Sequence, residues 1–129
     1  MINDIERDVI KKFVCKHRQE RLIWEFGNSR KREQIMMQRF AGPQIFKEDY
    51  LKATEYMSPD VLQIQLFKLG GTKNVYYIGE SYIGEMSLKQ ATETVNTGEI
   101  CIVYCGNGIG YYQGEEEFGY RPRYFLIAK

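Results

Sequence analysis

Residues 101–112, CIVYCGNGIGYY, decide how the chain folds. Two apolar stretches, rich in β-branched and aromatic residues, are separated here by Asn107-Gly108. An Asn-Gly pair in that setting is the strongest short-range signal for a β-hairpin with a type I′ turn. We therefore predict two antiparallel strands, at about 99–105 and 109–113, that this turn joins. The turn would pair Cys105 with Gly110, Tyr104 with Tyr111, and Val103 with Tyr112.

This pairing predicts a tyrosine-bearing face on the hairpin. Tyr104 and Tyr111 would lie side by side and half exposed, whereas the opposite face carries small residues suited to packing beneath a helix. Tyr and Arg are enriched in protein interfaces, and three more such residues follow closely in the sequence: Tyr120, Arg121 and Arg123. Cross-strand aromatic pairs also stabilise sheets that have no partner, so both interpretations of this face stay open.

The same segment has two other interpretations, a metal site and a phosphate-binding loop. Cys101 and Cys105 are four residues apart, and in a strand they would lie roughly 13 Å from each other, too far to share a zinc ion. The glycine run is followed by a strand, and no helix N-terminus follows it that could hold a phosphate. We predict no metal site and no cofactor.

The second half of the chain carries alternating strand and helix signals. Strands are predicted at 74–80 and 123–128, and Ser87 can cap a helix over 88–96. This helix would cross over the sheet and place the first two strands side by side in parallel. The sequence therefore predicts, for about 71–129, a mainly antiparallel sheet of about four strands with one crossover helix.

The first half, about 1–70, carries mainly helical signals. These predict, in order, a helix that Asn3 and Glu6 cap and that reaches about His17, a helical stretch stopped by Gly27-Asn28, a helix capped by Ser29 and ended by Gly42-Pro43, and a short helix at 44–53. Helices and strands are thus segregated along one domain, 1–129. This order is typical of an α+β fold whose helices pack on one face of the sheet.

Segment 58–69 is ambiguous. Its Leu62, Ile64 and Leu66 alternate as they would in a strand. Ser58-Pro59 is a typical helix start, however, and Gly70-Gly71 is a typical helix stop. Because these signals at both ends outweigh a short alternation, we predict a helix.

The charges suggest one candidate anion-binding feature. The formal net charge is only +1, but residues 1–52 are mildly basic and residues 53–129 are mildly acidic. If Ser29 caps a helix, Arg30, Lys31 and Arg32 occupy its first turn, where the helix dipole disfavours cations. A phosphate backbone or an acidic protein surface would reverse that penalty. An indifferent, solvated helix end is the alternative interpretation.

Catalytic signals are few. The chain has one histidine and ten tyrosines, a composition that favours binding over proton transfer. The acidic run at 115–117 is typical of a solvated loop, and no nucleophile elbow, Walker loop or zinc motif is present. Three cysteines, an odd number, indicate reduced thiols and a cytoplasmic setting. We predict a chain with no membrane segment and, on balance, no enzymatic activity.

Several stretches resemble a family of small, uncharacterised bacterial α+β proteins, particularly cyanobacterial ones. The likeness lies in RQERLIWEF and SRKREQIMMQRF at 18–40, in VYYIGESYIGEMSLKQATETV at 75–95, and in GYYQGEE and RYFLIAK near the end. The resemblance implies helices followed by a sheet in a bacterial cytoplasm. The family has no established activity, so the resemblance implies no mechanism.

We therefore expect a small cytoplasmic binding or regulatory module that acts through protein–protein contact, for instance in an immunity-type role. The candidate contact residues are those of the tyrosine-bearing face and the basic triplet: Tyr104, Tyr111, Tyr120, Arg121, Arg123, Arg30, Lys31 and Arg32. The alternative is an RNA-binding protein or ribonuclease that uses Arg and Tyr side chains. The oligomeric state is left open.

Overall fold

The computed structural model describes residues 2–28 and 30–129 and confirms the α+β class. The helices are α1 Asp4–Phe13, α2 Lys16–Asn28, α3 Arg32–Arg39, α4 Pro59–Lys68 and α5 Leu88–Val95. The strands are β1 Leu51–Ala53, β2 Asn74–Gly79, β3 Ile83–Ser87, β4 Cys101–Tyr104, β5 Ile109–Gln113 and β6 Arg123–Ile127. Short 3-10 turns occupy Pro43–Ile45 and Glu48–Tyr50. None of the described helices is long and apolar enough to cross a membrane.

The strands of the described residues form one six-stranded sheet in the order β1-β6-β5-β4-β2-β3, and every neighbouring pair is antiparallel. The prediction of about four strands missed the two edge strands, β1 and β3. The expected parallel pairing is wrong, because Ile78 of β2 lies opposite Ile102 of β4 in an antiparallel ladder. The reason is β3, which returns the chain to the starting end of β2 before α5 crosses the sheet.

β2 and β3 form a hairpin built from a near-repeat, YIGES followed by YIGEM, at 77–86. The N–H of Gly79 donates to the carbonyl of Tyr82 at 2.9 Å and closes the turn. Glu80 ties this turn to the chain before β4, because its Oε1 accepts the N–H of Ile100 at 2.8 Å. The first copy thus supplies the end of β2 and the turn, and the second copy supplies most of β3.

Helices cover both faces of the sheet, which corrects the expectation that they lie on one. The first core packs α1, α2 and α3 against side chains that include Ile102 and Tyr112. The second core packs α4 and α5 against the opposite face, which includes Val103 and Tyr111. β5 is buried at every position. A strand that is buried on both faces needs a covering layer on each side, so the protein has three layers.

The predicted Asn107-Gly108 turn is present, but the predicted strand register is wrong by one residue. Both turn residues have positive φ, +55° and +75°, as a type I′ turn requires. Gly106 also has a positive φ, and it adds a residue to the first strand, so that Cys105 and Gly106 together oppose Ile109. As a result, Tyr104 pairs with Gly110, Val103 with Tyr111, and Ile102 with Tyr112.

Local capping signals predicted the helix starts well. Three predicted caps are confirmed: the capping box of Asn3 and Glu6 before α1, Ser58 before α4, and Ser87 before α5. The predicted stop of α4 is also present, because the N–H of Gly71 donates to the carbonyl of Leu66 at 3.0 Å. These signals act over three to five residues and need no tertiary contact.

Two helix predictions are corrected. α1 ends at Phe13 and does not continue to His17, because Val14 adopts extended backbone and forms a bridge with Phe46. The helix expected at 44–53 is not formed; that segment contains the two 3-10 turns and β1, which pairs with β6 at the sheet edge. Ser29, the predicted cap of the third helix, lies outside the described residues.

Candidate functional site

The predicted tyrosine-bearing face is not assembled. The register shift places Tyr104 and Tyr111 on opposite faces of the sheet. Tyr111 is 2% exposed, its Oη donates to Oε1 of Gln113 at 3.1 Å, and burial raises its pKa. Tyr104 is half-buried, and its ring meets Phe13 edge-on with centroids 5.9 Å apart. Each tyrosine packs into a different core, and the two share no surface.

Tyr120 and Arg121 precede β6 and Arg123 is its first residue, and the three side chains have different environments. Tyr120 is 64% exposed. Arg121 donates from Nη1 to the carbonyl of Gly114 at 2.5 Å. The guanidinium of Arg123 lies 5.5 Å from the ring centroid of Tyr56. Both arginines therefore make contacts within their own chain, and Tyr120 is the most solvent-exposed of the three.

The basic triplet does not form the predicted first helical turn. α3 begins at Arg32, and Lys31 is its N-cap residue with no side-chain capping hydrogen bond. The guanidinium of Arg32 points inward, where it is ion-paired with Glu6 and lies 5.9 Å from the ring centroid of Phe26. Arg30 is exposed. The three cations are thus not presented together to an anion.

Glu6 forms the centre of a buried polar cluster that we did not predict from the sequence. The residue is 1% exposed, and its carboxylate pairs with Arg32 and accepts a hydrogen bond from Oη of Tyr76. The amide of Asn3 donates to the same Oη at 2.8 Å. Burial and the hydrogen bond to Glu6 raise the pKa of Tyr76 to about 12. The signal was available, because Glu6 falls on the same helical stripe as the buried apolar residues of α1.

The cysteines are free thiols. Cys101 and Cys105 are buried in the second core, and burial raises the pKa of each to about 12. Both therefore stay protonated at neutral pH, the state in which a thiol is neither a nucleophile nor a metal ligand. Across 2–28 and 30–129, no group of three or more His, Cys, Asp or Glu side chains is placed to hold a metal ion.

An apolar groove of about 520 Å³ lies between α4 and the start of α5. Ile64 and Phe67 line it, and they remain 53% and 55% exposed. Three exposed lysines line it as well: Lys68 at the end of α4, Lys73 before β2, and Lys89 in the first turn of α5. We call this feature the α4–α5 groove.

The sequence of α4 explains why its outer side is apolar. Leu62 and Leu66 are 2% and 0% exposed because they face the second core. Residues two apart on a helix point about 200° from each other, so Ile64 points away from that core. Once the segment is helical, the alternation that resembles a strand places an apolar residue on the solvent side. That alternation was the signal for the groove.

Two further grooves are more polar and share Arg18 and Arg39. Arg39 is engaged within the protein, because its Nε and Nη2 donate to the carboxylate of Glu25 at 3.0 and 2.6 Å. This hydrogen-bonded ion pair raises the pKa of Arg39. The lining of the α4–α5 groove is more apolar than that of either of these two grooves.

Comparisons of the chain with protein families, with curated proteins and with solved structures find no match.

Proposed function

We propose that the chain is a small protein-binding module and that the α4–α5 groove contacts its partner. The observation that carries the proposal is the exposure of three apolar side chains spaced three residues apart on α4: Val61 is 44%, Ile64 53% and Phe67 55% exposed. Single exposed apolar side chains are ordinary, but a contiguous apolar patch is typical of a surface that another molecule covers.

Hydrophobic free energy favours covering this side of α4. Fully burying a side chain such as Ile or Phe stabilises by about 1.5–3 kcal/mol. Ile64 and Phe67 are about half exposed, so each would contribute on the order of 1 kcal/mol on contact. Alanine scanning finds that most interface residues contribute less than about 1 kcal/mol, so two residues of this size would exceed the typical contact.

Photo-crosslinking tests the proposal directly. The photoreactive residue p-benzoylphenylalanine replaces Phe67 in one variant and Trp24, which is 66% exposed on α2, in a matched control. Circular dichroism first verifies that both variants are folded, and the cells that produce the protein are then irradiated. We expect a discrete protein adduct from position 67 and none from position 24. Adducts from position 24 alone, or from neither position, would contradict the proposal.

RNA binding is the alternative function, and it can be tested with the purified protein. Fluorescence polarisation of labelled polyuridylate is followed as the protein is added at low ionic strength. A protein-binding module predicts no change in polarisation. An affinity for the RNA that decreases steeply as salt is added would indicate phosphate contacts and would count against our proposal.

A further inference from the structure

We infer that the partner segment bound in the α4–α5 groove is acidic, with an apolar side chain that enters the groove between flanking carboxylates. This inference rests on the proposed function and adds the chemistry of the partner. Its basis is the charge of the lining: the described residues that form the groove include three lysines and no acidic residue. The chain as a whole is almost neutral, with a net charge of +1, so this concentration of one sign is local.

The backbone adds to the positive potential. Ser87 and Leu88 line the groove and begin α5, whose first turn contains no acidic residue. The N-terminus of a helix carries a partial positive charge, so Lys89 lies where a cation is disfavoured. A carboxylate placed there by a partner would interact favourably both with Lys89 and with the helix end.

A second copy of this chain is a poor occupant. In a dimer with two-fold symmetry the same surface patch of both copies meets, so a patch whose charges are all positive meets a patch of the same sign. The lysines of the groove would then face lysines, and facing like charges oppose association. Charge complementarity therefore favours a different chain, one that carries carboxylates.

The shape of the surface favours a protein segment over a lipid bilayer or a nucleic acid. A membrane-binding surface presents apolar side chains that protrude, whereas Ile64 and Phe67 border a concave space of about 520 Å³. That volume lies within the range of ordinary ligand sites and suits an apolar side chain with its neighbours. A phosphate backbone would meet the lysines but would leave the apolar lining of the groove uncovered.

Selection from a random peptide library tests the inference. Displayed peptides of about twelve residues are selected on the folded protein and depleted on the variant Phe67→Ser, so that the survivors depend on the groove. We expect the surviving peptides to combine apolar residues with several Asp or Glu. Fluorescence polarisation then measures one labelled survivor against the triple variant Lys68→Glu, Lys73→Glu, Lys89→Glu. Binding should weaken at least about tenfold, and Lys52→Glu, at an exposed position on β1, should leave it unchanged.

The possible outcomes separate the two proposals. Survivors that are neutral or basic and that tolerate the lysine reversals would overturn the acidic partner and leave the protein-binding function standing. If no peptide depends on Phe67, both proposals lose support. Binding of the wild-type protein to phosphatidylserine vesicles or to polyuridylate, with loss in the triple lysine variant, would overturn the inference in favour of a lipid or a nucleic acid.

Discussion

Glu6 and Arg32 form an ion pair that joins α1 to the first residue of α3. The side chain of Glu6 is 2% exposed and that of Arg32 is 26% exposed. The same carboxylate also accepts the hydroxyl of Tyr76 on β2, so one charged group connects two helices to the sheet. Removing only one partner leaves a charge uncompensated in a mostly buried place.

Glu6→Gln should therefore lower the free energy of unfolding by about 2–3 kcal/mol, because the guanidinium of Arg32 loses its counter-ion. Asp8→Asn is the matched control: Asp8 pairs with Lys12 on the same helix at 3.8 Å, and both side chains are substantially exposed. An exposed pair of this kind contributes at most about 0.5 kcal/mol. Urea denaturation measures both variants, and equal losses would show that the buried pair has no special role.

A second prediction concerns the hairpin turn and compares two glycines with similar backbone φ angles. Gly108 and Gly119 have φ of +75° and +79°, so an alanine at either position costs about 1–2 kcal/mol. A Cβ at Gly108 would lie 3.2 Å from Cβ of Ala128, whereas one at Gly119 would meet nothing within 4 Å. Gly108→Ala should therefore lower the melting temperature more than Gly119→Ala. A reversed order would exclude close packing of the turn against Ala128.

This hairpin also shows which parts of the fold could be predicted from the sequence. The turn at Asn107-Gly108 depends on the local preference of these residues for positive φ, and it was predicted correctly. The register depends on Gly106, which has the same freedom and adds a residue. The shift places Tyr111 on the same face as Val103 and Tyr112 on the same face as Ile102, so the register decides which core each ring enters. No local pattern contains that information.

The apolar part of the candidate groove could have been predicted from the sequence, although it was not. The helix caps of α4 and the apolar alternation of Leu62, Ile64 and Leu66 were both recognised, but as competing signals for helix and strand. Taken together, they predict a helix with apolar residues on two sides. The lysines could not be assigned in this way, because Lys73 and Lys89 reach the groove only through the tertiary packing of α4 against α5.

Alkaline pH should destabilise the protein. Burial raises the pKa of Cys101 and of Cys105 to about 12 from an ordinary 9.0, and it raises that of Tyr76 to about 12 from 10.0. Because the unfolded chain releases these protons at lower pH than the folded one, the stabilisation is complete below about pH 9 and is lost progressively toward pH 12. Urea denaturation at about pH 8, 10 and 11 measures the decline.

The contribution of the thiols to this decline can be separated from that of the buried tyrosines, whose pKa values are also raised by burial. The double variant Cys101→Ala, Cys105→Ala removes two of the titrating groups and leaves the tyrosines in place. We expect a lower stability at pH 8, since both side chains are buried, and a shallower loss of stability as the pH rises. A decline as steep as that of the wild type would assign the alkaline sensitivity to other groups.

Leu66 and Phe67 are adjacent in the sequence but are 0% and 55% exposed. Leu66→Ala should lower the free energy of unfolding by about 2–5 kcal/mol because it opens a cavity in the second core. Phe67→Ala should cost less than about 1 kcal/mol, since half of the ring already contacts water. Denaturation of both variants measures the difference. If Phe67→Ala were as costly as Leu66→Ala, this phenylalanine would serve the fold. A small loss of stability in Phe67→Ala would show that folding does not require this exposed ring. That result is what we expect of a side chain that serves binding.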